Sequence, residues 1–356
     1  MITIIHTADL HLGAEPDAGY AWADERREEI WDSLSVIVKE TKKRAADFLL
    51  ISGDLFHRQP TEKELKEVNY LFQTIPQTQV ILIAGNHDCL VPGSLMPSYP
   101  WASNVHGLWG NGLEKISFPE KNIAFYGLSY QKREEPGNLY ENAVPYGEEQ
   151  YHILLAHGGD SKHSPMDWNR LKEAGFTYVA MGHIHKVQAI VKNRIIFCGS
   201  PEPLDRTEKG KHGYIRLLLE DEKISAGLFP CAVRSYLDAK VKVGEDTTQA
   251  ALESILSDYI REKGEKNIYR FRLTGTYPVG MSFQTERLLR LGNVVDVIDE
   301  TRPALDPDEL SGVYRGTLLG AYIDHFRSMP DCPEDPVKEK ALYYGMEALL
   351  NAEKKS

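Results

Sequence analysis

The chain has 356 residues, 42% of them hydrophobic and 26% charged, with a formal net charge of −11. That length points to two or more domains, and the acidic balance weighs against a protein that binds nucleic acid through its global charge. No apolar run approaches the roughly eighteen residues of a membrane helix, and Cys89, Cys198, Cys231 and Cys332 are too scattered for a zinc or redox motif; a cytoplasmic protein with reduced thiols and no membrane partner is expected.

Met1-Ile2-Thr3-Ile4-Ile5 reads directly as a strand, and no cleavable leader is expected. A helix is predicted over residues 24–44, where Ile30, Leu34, Ile37 and Val38 form an apolar stripe among charges. A second is predicted over 61–75, opened by Thr61 and Glu64 as a capping box. Strands are predicted at 48–51, 80–83, 153–155 and 178–181, giving the alternation of an α/β domain. From 187 to 229 the texture changes to short strands at 187–191, 195–197, 214–219 and 224–229, read as a second, more antiparallel sheet packed on the first. A boundary is predicted near Pro230 to Arg234. Beyond it, strands at 236–243, 269–274 and 294–298 alternate with helices at 246–263 and 283–291 as a small β-α-β-α-β unit. Two last helices, 306–327 and 336–352, are parted by Met329-Pro330-Asp331-Cys332-Pro333. The expected organisation is a main domain over 1–233, a small α+β cap over 234–302 and a C-terminal helical segment over 303–356.

The chain is set apart by the residues just beyond its strands. Asp9-Leu10-His11, Gly53-Asp54, Gly85-Asn86-His87-Asp88, His157 and Gly182-His183-Ile184-His185 stand in that order, each just after an apolar run. Functional groups of open α/β sheets gather beyond the carboxyl ends of the strands, so five clusters can converge on one rim. Oxygen and imidazole donors without a thiolate suit two hard or borderline divalent cations, and such pairs hydrolyse phosphate esters. Asp9 and His11, two residues apart, project to one side of an extended backbone, and His183 and His185 repeat that geometry. Asp54 comes after a glycine that lets the backbone approach closely and is the natural bridging carboxylate. The ligand count then closes, with Asp9, His11, Asp54 and His185 on one ion and Asp54, Asn86, His157 and His183 on the other. A lone histidine or Gly-Asp would be an ordinary structural feature; the ordered set is not.

These motifs (Asp-x-His, Gly-Asp, Gly-Asn-His-Asp, His, Gly-His-x-His) make the chain resemble the calcineurin-like metallophosphoesterases. Within them, His6-Thr7-Ala8-Asp9-Leu10-His11-Leu12-Gly13, Gly53-Asp54-Leu55-Phe56-His57 and Gly199-Ser200-Pro201-Glu202-Pro203-Leu204 make residues 1 to about 230 look like the SbcD-type DNA double-strand-break repair nucleases. The resemblance implies an α/β four-layer sandwich of two sheets flanked by helices, and a DNA nuclease loaded with two divalent ions, manganese foremost, acting as an exonuclease with endonuclease activity as a further option. It implies the seven ligands above, with His87 stabilising developing charge or assisting the leaving oxygen, His57 contacting the substrate phosphate and Asp88 orienting His87. It also implies an SbcC-type coiled-coil ATPase docked on the C-terminal helices, where Leu318, Leu319, Tyr322, Ile323 and Phe326 form an amphipathic pattern, and a homodimer through the helices at 24–44 and 61–75. Protein phosphatases of the superfamily carry an arginine-rich stretch after Gly-Asp; here it reads Leu55-Phe56-His57-Arg58-Gln59-Pro60, which favours the nuclease branch. The rivals are a metallophosphatase or cyclic-nucleotide phosphodiesterase, and a non-catalytic scaffold for DNA or the ATPase; the complete ligand set and His87 speak against the scaffold. Lys132-Arg133, Lys209-Gly210-Lys211, Tyr99, Trp101 and Trp109 are candidate DNA contacts at best equal to solvated loops and local packing. His6, His106, His152, His163, His212 and His325 read as structural or surface groups.

Overall fold

A computed structural model describes residues 1–221, 223–332 and 335–353. Pro333, in the predicted break between the last two helices, and residues 354–356 of the predicted helical segment lie outside the described residues. The chain divides into two compact units, Met1–Tyr236 and Leu237–Ser356.

In the first unit, β1 (Ile2–Thr7), β2 (Phe48–Ser52), β3 (Gln79–Ile83) and β4 (Val105–Gly107) pair in parallel. A second sheet contains β5 (Glu114–Phe118), β6 (Ile123–Gly127), β7 (Tyr151–His157), β8 (Tyr178–Gly182), β9 (Gln188–Val191) and β10 (Ile195–Phe197), in the order β5-β6-β7-β8-β10-β9. Its middle, β6 through β10, is parallel and both edges are antiparallel. β11 (Gly213–Glu220) and β12 (Lys223–Pro230) form a hairpin laid antiparallel on β1, giving the first sheet the order β12-β11-β1-β2-β3-β4.

The strands are apolar on both faces because both faces are covered. On β2, Phe48 and Leu50 point into a core shared with Phe125, Ile153, Leu155 and Tyr178 of the other sheet. Leu49 and Ile51 point the opposite way, toward α1 (Ala23–Lys43) and α2 (Glu62–Gln73), which bring Ile30, Leu34, Ile37, Leu65, Val68 and Phe72. The outer face of the second sheet, with Tyr126, Leu154, Val179 and Met181, packs against Leu171 of α3 (Trp168–Glu173) and Phe176. The result is four layers, helices–sheet–sheet–helix. The predicted capping box exists: Thr61 Oγ1 accepts from Glu64 N, and Glu64 Oε2 accepts from Thr61 N at 2.7 Å.

Two expectations change. The strands from 187 to 229 form no sheet of their own; β9 and β10 extend the second sheet and the β11–β12 hairpin extends the first. An edge strand with unpaired backbone groups recruits a partner, and β1 offers such an edge to β11, whose Ile215, Leu217 and Leu219 join the inter-sheet core. β4, β5 and β6 are not among the predicted strands. Ile123-Ala124-Phe125-Tyr126-Gly127 is wholly buried and is turned out of β5 by Asn122 in the left-handed region (φ 52°), but it ends on no ligand.

In the second unit, β13 (Tyr236–Val243), α4 (Gln249–Lys263), β14 (Ile268–Tyr277), α5 (Thr285–Leu288) and β15 (Val294–Asp299) keep the predicted β-α-β-α-β order. Leu252, Leu256 and Ile260 of α4 pack on Tyr269, Phe271 and Leu273 of β14. A short β16 (Arg302–Pro303) pairs with β14. The single helix expected over 306–327 is two, α6 (Pro307–Val313) and α7 (Leu318–Ser328). Gly316 at φ +81° breaks it, and Thr317, extended, caps the new helix by accepting from Gly320 N. α8 (Pro336–Glu353) packs on α7 through Leu319, Ile323, Leu342 and Met346.

One polar cluster ties the first unit together. Arg26 of α1 is fully buried and donates to Glu29 at 2.9 Å, to Glu202 at 3.3 Å and to the Pro203 carbonyl, while Arg234 donates to Glu29 at 2.7 Å. Removing one partner strands the others as uncompensated buried charge. Arg26→Ala is expected to lower the unfolding free energy by about 3–5 kcal/mol, measured as a drop in urea midpoint; a midpoint equal to wild type would show that the cluster contributes nothing.

Candidate metal centre

All seven sequence-predicted ligands meet at the carboxyl ends of strands from both sheets. Asp9 and His11 come after β1, Asp54 after β2 and Asn86 after β3, while His157 ends β7 and His183 and His185 come after β8. The loops after β1 and β2 run side by side: Asp9 N donates to the Gly53 carbonyl and His11 N to that of Asp54. The backbone is not extended here, contrary to expectation. Asp9, His11, Asp54 and His183 have φ of 53°, 48°, 50° and 96°, a left-handed conformation that costs a non-glycine residue and persists only where its surroundings enforce it. Left-handed turns, not strand alternation, aim these side chains inward.

Glycine is required at two positions by close approach. A Cβ on Gly53 would lie 2.4 Å from His157 Nδ1, and one on Gly85 2.2 Å from Asp54 Oδ1. The carboxylate and imidazoles can crowd together because the backbones carrying them have no side chain in the way.

His157 Nε2 lies 2.9 Å from Asn86 Oδ1 and 3.5 Å from Asp54 Oδ2, and His183 Nδ1 lies 3.1 Å from Asn86 Oδ1. On the other side His11 Nε2 lies 3.6 Å from Asp54 Oδ2 and 3.1 Å from His185 Nε2. Asp9 presents ligand atoms within 4.8 Å of those of His11 and His185, and also of those of Asp54 and His157. Neighbouring ligands on one ion with bonds of roughly 2.1 Å sit about 3.0–3.4 Å apart, so this spacing fits two divalent cations, with Asp54 between the two groups. The chemistry agrees: Asp9, Asp54 and Asp88 are all buried, and buried carboxylates are stable when paired or bound to metal.

The local fields reflect that crowding. Burial pushes the Asp9 carboxyl up to about 6, and burial together with the charge of Asp54 pushes Asp88 up to about 7. Burial opposes ionisation of Asp54 too, but the charges of His157 and His11 prevail and hold it well below the usual carboxylate range. In return, and against the effect of burial, Asp54 raises His157 to about 9. His11 is held well below the ordinary imidazole value, chiefly by burial.

His57 and His87 stand beside this group with ring centroids 4.9 Å apart, and His87 lies 4.7 Å from His11. His87 N donates to Asp54 Oδ1 at 2.8 Å, and His87 Nδ1 meets the His57 carbonyl at 3.1 Å. Asp88 does not orient the His87 ring. Its carboxylate accepts from Gly85 N at 2.7 Å and Phe56 N at 3.1 Å, so it fastens the Gly85-Asn86-His87 loop to the chain after Asp54. Two carboxylates outside the sequence-predicted set also reach these rings: Asp160 meets His183 Nε2 at 2.7 Å and Glu208 meets His185 Nδ1 at 2.6 Å. His163, expected to be structural or at the surface, bonds Asp160 at 3.0 Å and lies 4.6 Å from His183. Asp160 and His163 stand shortly after His157, the one signal that could have drawn notice. The other five histidines read as structural or surface groups lie outside the donor set; His6, for instance, bonds Tyr178 Oη inside the fold.

A family model described as calcineurin-like phosphoesterase matches residues 2–187. An uncharacterized metallophosphoesterase of Bacillus subtilis, YhaO, is 29% identical over 302 residues, 78% of this chain and 72% of its own. The DNA double-strand break repair protein Mre11 of Methanocaldococcus jannaschii is 28% identical over 218 residues, 57% of either chain, so less than two thirds of that relative is spanned. The solved structure of a dimetal phosphatase from Danio rerio, 15% identical, aligns with a TM-score of 0.40 and covers 61% of this chain and 92% of that one.

The position of Asp54 between the two donor groups generates a direct test. Asp54→Ala is expected to leave at most one tightly bound divalent ion per chain, counted by elemental analysis after gel filtration in manganese. Two ions per chain in the variant would show that the carboxylate does not serve both.

Proposed function

Because the chain belongs to the calcineurin-like phosphoesterases, a family of metal-dependent hydrolases of phosphate esters built around a dimetal centre, we propose that it is a two-metal phosphodiesterase that cleaves DNA, chiefly from its ends. The observation that carries the reading is the convergence of seven oxygen and imidazole donors on one rim, at cation-ligand spacing, beside two further histidines. Two divalent ions, manganese in this proposal, supply when bound an activated water and a positive field at phosphorus. Asp9, His11, Asp54 and His185 would hold one, and Asp54, Asn86, His157 and His183 the other.

The remaining chemistry belongs to the protein. His87 Nδ1–H donates to the His57 carbonyl, which leaves Nε2 as the nitrogen for chemistry. In its protonated form the ring can donate from Nε2 to the leaving oxygen or to the charge developing beside it. His57, exposed and with Nδ1 3.2 Å from His11 Nδ1, keeps its Nε2 edge for a substrate phosphate. DNA as the ester is supported by the likeness to Mre11 and by a stretch after Asp54 that holds a single arginine, Arg58, where protein phosphatases are arginine-rich.

His87→Asn is expected to reduce manganese-dependent cleavage of linear DNA and of bis-p-nitrophenyl phosphate about a hundredfold or more while leaving both ions bound. Near wild-type rates at full metal occupancy would remove His87 from the mechanism. Turnover of phosphate monoesters without cleavage of DNA by the wild type would move the protein to the phosphatases.

An SbcC-type ATPase docked on the last helices is part of the same proposal. Leu319 and Ile323, two of the residues expected to face it, are buried against α8, so among the described residues the large apolar side chains of these helices exposed to a partner are Val313, Leu318, Val337 and Tyr344. Deleting the chain from Asp306 onward is expected to spare DNA cleavage, since every proposed catalytic group precedes it, and to abolish capture of a coiled-coil partner through these residues. A folded, active truncation that still binds the ATPase would defeat the docking, and a melting temperature collapsing on truncation would make the helices part of the ordinary core.

A further inference from the structure

Glu208 lies on an exposed stretch, between Thr207 and Lys209, yet its own side chain is only 13% exposed. One carboxylate oxygen accepts from His185 Nδ1 at 2.6 Å. The other accepts from Leu204 N at 3.0 Å and Ser200 Oγ at 3.2 Å. The Glu208 carbonyl meets His212 Nε2 at 3.2 Å, and the other nitrogen of that ring meets Ser200 at 3.0 Å. A surface charge left to solvent has no such set of partners. On the far side of the His185 ring, Nε2 faces His11 Nε2 at 3.1 Å, inside the donor group. The ring is therefore held from behind by a carboxylate, with its other nitrogen presented to the centre.

We infer that Glu208 is a positioning residue for the metal centre: it commits the proton of His185 to Nδ1, fixes the ring plane and leaves the Nε2 lone pair as the ligating atom. The inference rests on the two-cation reading above. A carboxylate behind a ligating imidazole sets its tautomer and raises its basicity. It also gives the turn at Gly199-Ser200-Pro201-Glu202-Pro203-Leu204 a function, since Ser200 and Leu204 hold Glu208 in place. Asp160 stands behind His183 in the same way but with the nitrogens exchanged, Nε2 to the carboxylate and Nδ1 toward Asn86. At 45% exposure Asp160 is the weaker grip, so Glu208 is the residue to test.

The test uses the full chain as wild type, Glu208→Ala and Glu208→Gln, titrated with manganese while free ion is followed by electron paramagnetic resonance, with the melting temperature of each metal-free protein recorded. The alanine variant is expected to keep one ion at wild-type affinity and to bind the other about ten- to a hundredfold more weakly. The glutamine variant, which still offers an oxygen to Nδ1–H, is expected to recover part of that loss. Manganese binding in Glu208→Ala equal to wild type overturns the inference, as does a glutamine variant no better than alanine. If alanine prevents folding, ring-nitrogen NMR of the zinc-loaded wild type decides: coordination of His185 through Nε2 with Nδ1 protonated supports the inference, and coordination through Nδ1 overturns it. A wild type that binds no manganese overturns the two-cation reading, and this inference with it, an outcome distinct from equal binding by wild type and variant.

Discussion

Asp54 carries a full negative charge into the interior, and much of the first unit is arranged around keeping it there. It accepts the backbone N–H of His87 and lies between His11 and His157, imidazoles contributed by different sheets. Asp9 and Asp88 are buried nearby, so electrostatic repulsion must be met by imidazoles, backbone amides and the cations that the donor spacing fits. Gly53 and Gly85 answer that demand, because any side chain there would collide with the groups that compensate the charge. So do the left-handed backbones of Asp9, His11 and His183. Their strain is sustained by the bonds of Asp9 N and His11 N to the Gly53 and Asp54 carbonyls and of His183 N to the Asp9 carboxylate.

The ligand clusters were legible because each is short, chemically distinctive and tied to a strand end, where topology alone brings residues together. Their backbone conformation was not legible, since strand alternation and a left-handed turn can both aim residues two apart in one direction. Glu208 and Asp160 were invisible for a different reason. They reach the centre from loops that no periodicity indexes, and a single acidic residue in a polar loop has the same appearance whether it faces water or a histidine. The layered α/β sandwich could be anticipated, but the membership of its sheets could not. β11 and β9 look alike as isolated short strands, and only the free edge of β1 and that of β10 decide which sheet each one joins. The break between α6 and α7 turned on Gly316 and Thr317, weak signals inside an otherwise helical stretch.

The turn from Gly199 to Leu204 shows how one segment can serve stability and chemistry together. Glu202 is spent on Arg26 and the Val233 amide, joining α1 to the end of the unit. A few residues on, Glu208 is spent on His185. The first carboxylate faces a permanent cation, the second a ring whose proton it governs.

The donors are divided between two sheets: Asp9, His11, Asp54 and Asn86 from one, His157, His183 and His185 from the other. Whatever binds them all is a clasp across the inter-sheet core, engaged only while both sheets are folded and face to face. Occupancy is thus converted into mechanical cohesion, worth about 2.7 kcal/mol for each site at a hundred times its dissociation constant. A chelator would act on this protein as a mild denaturant as well as an inhibitor, and the surrounding supply of divalent ions would help determine how long each copy of the chain survives proteolysis.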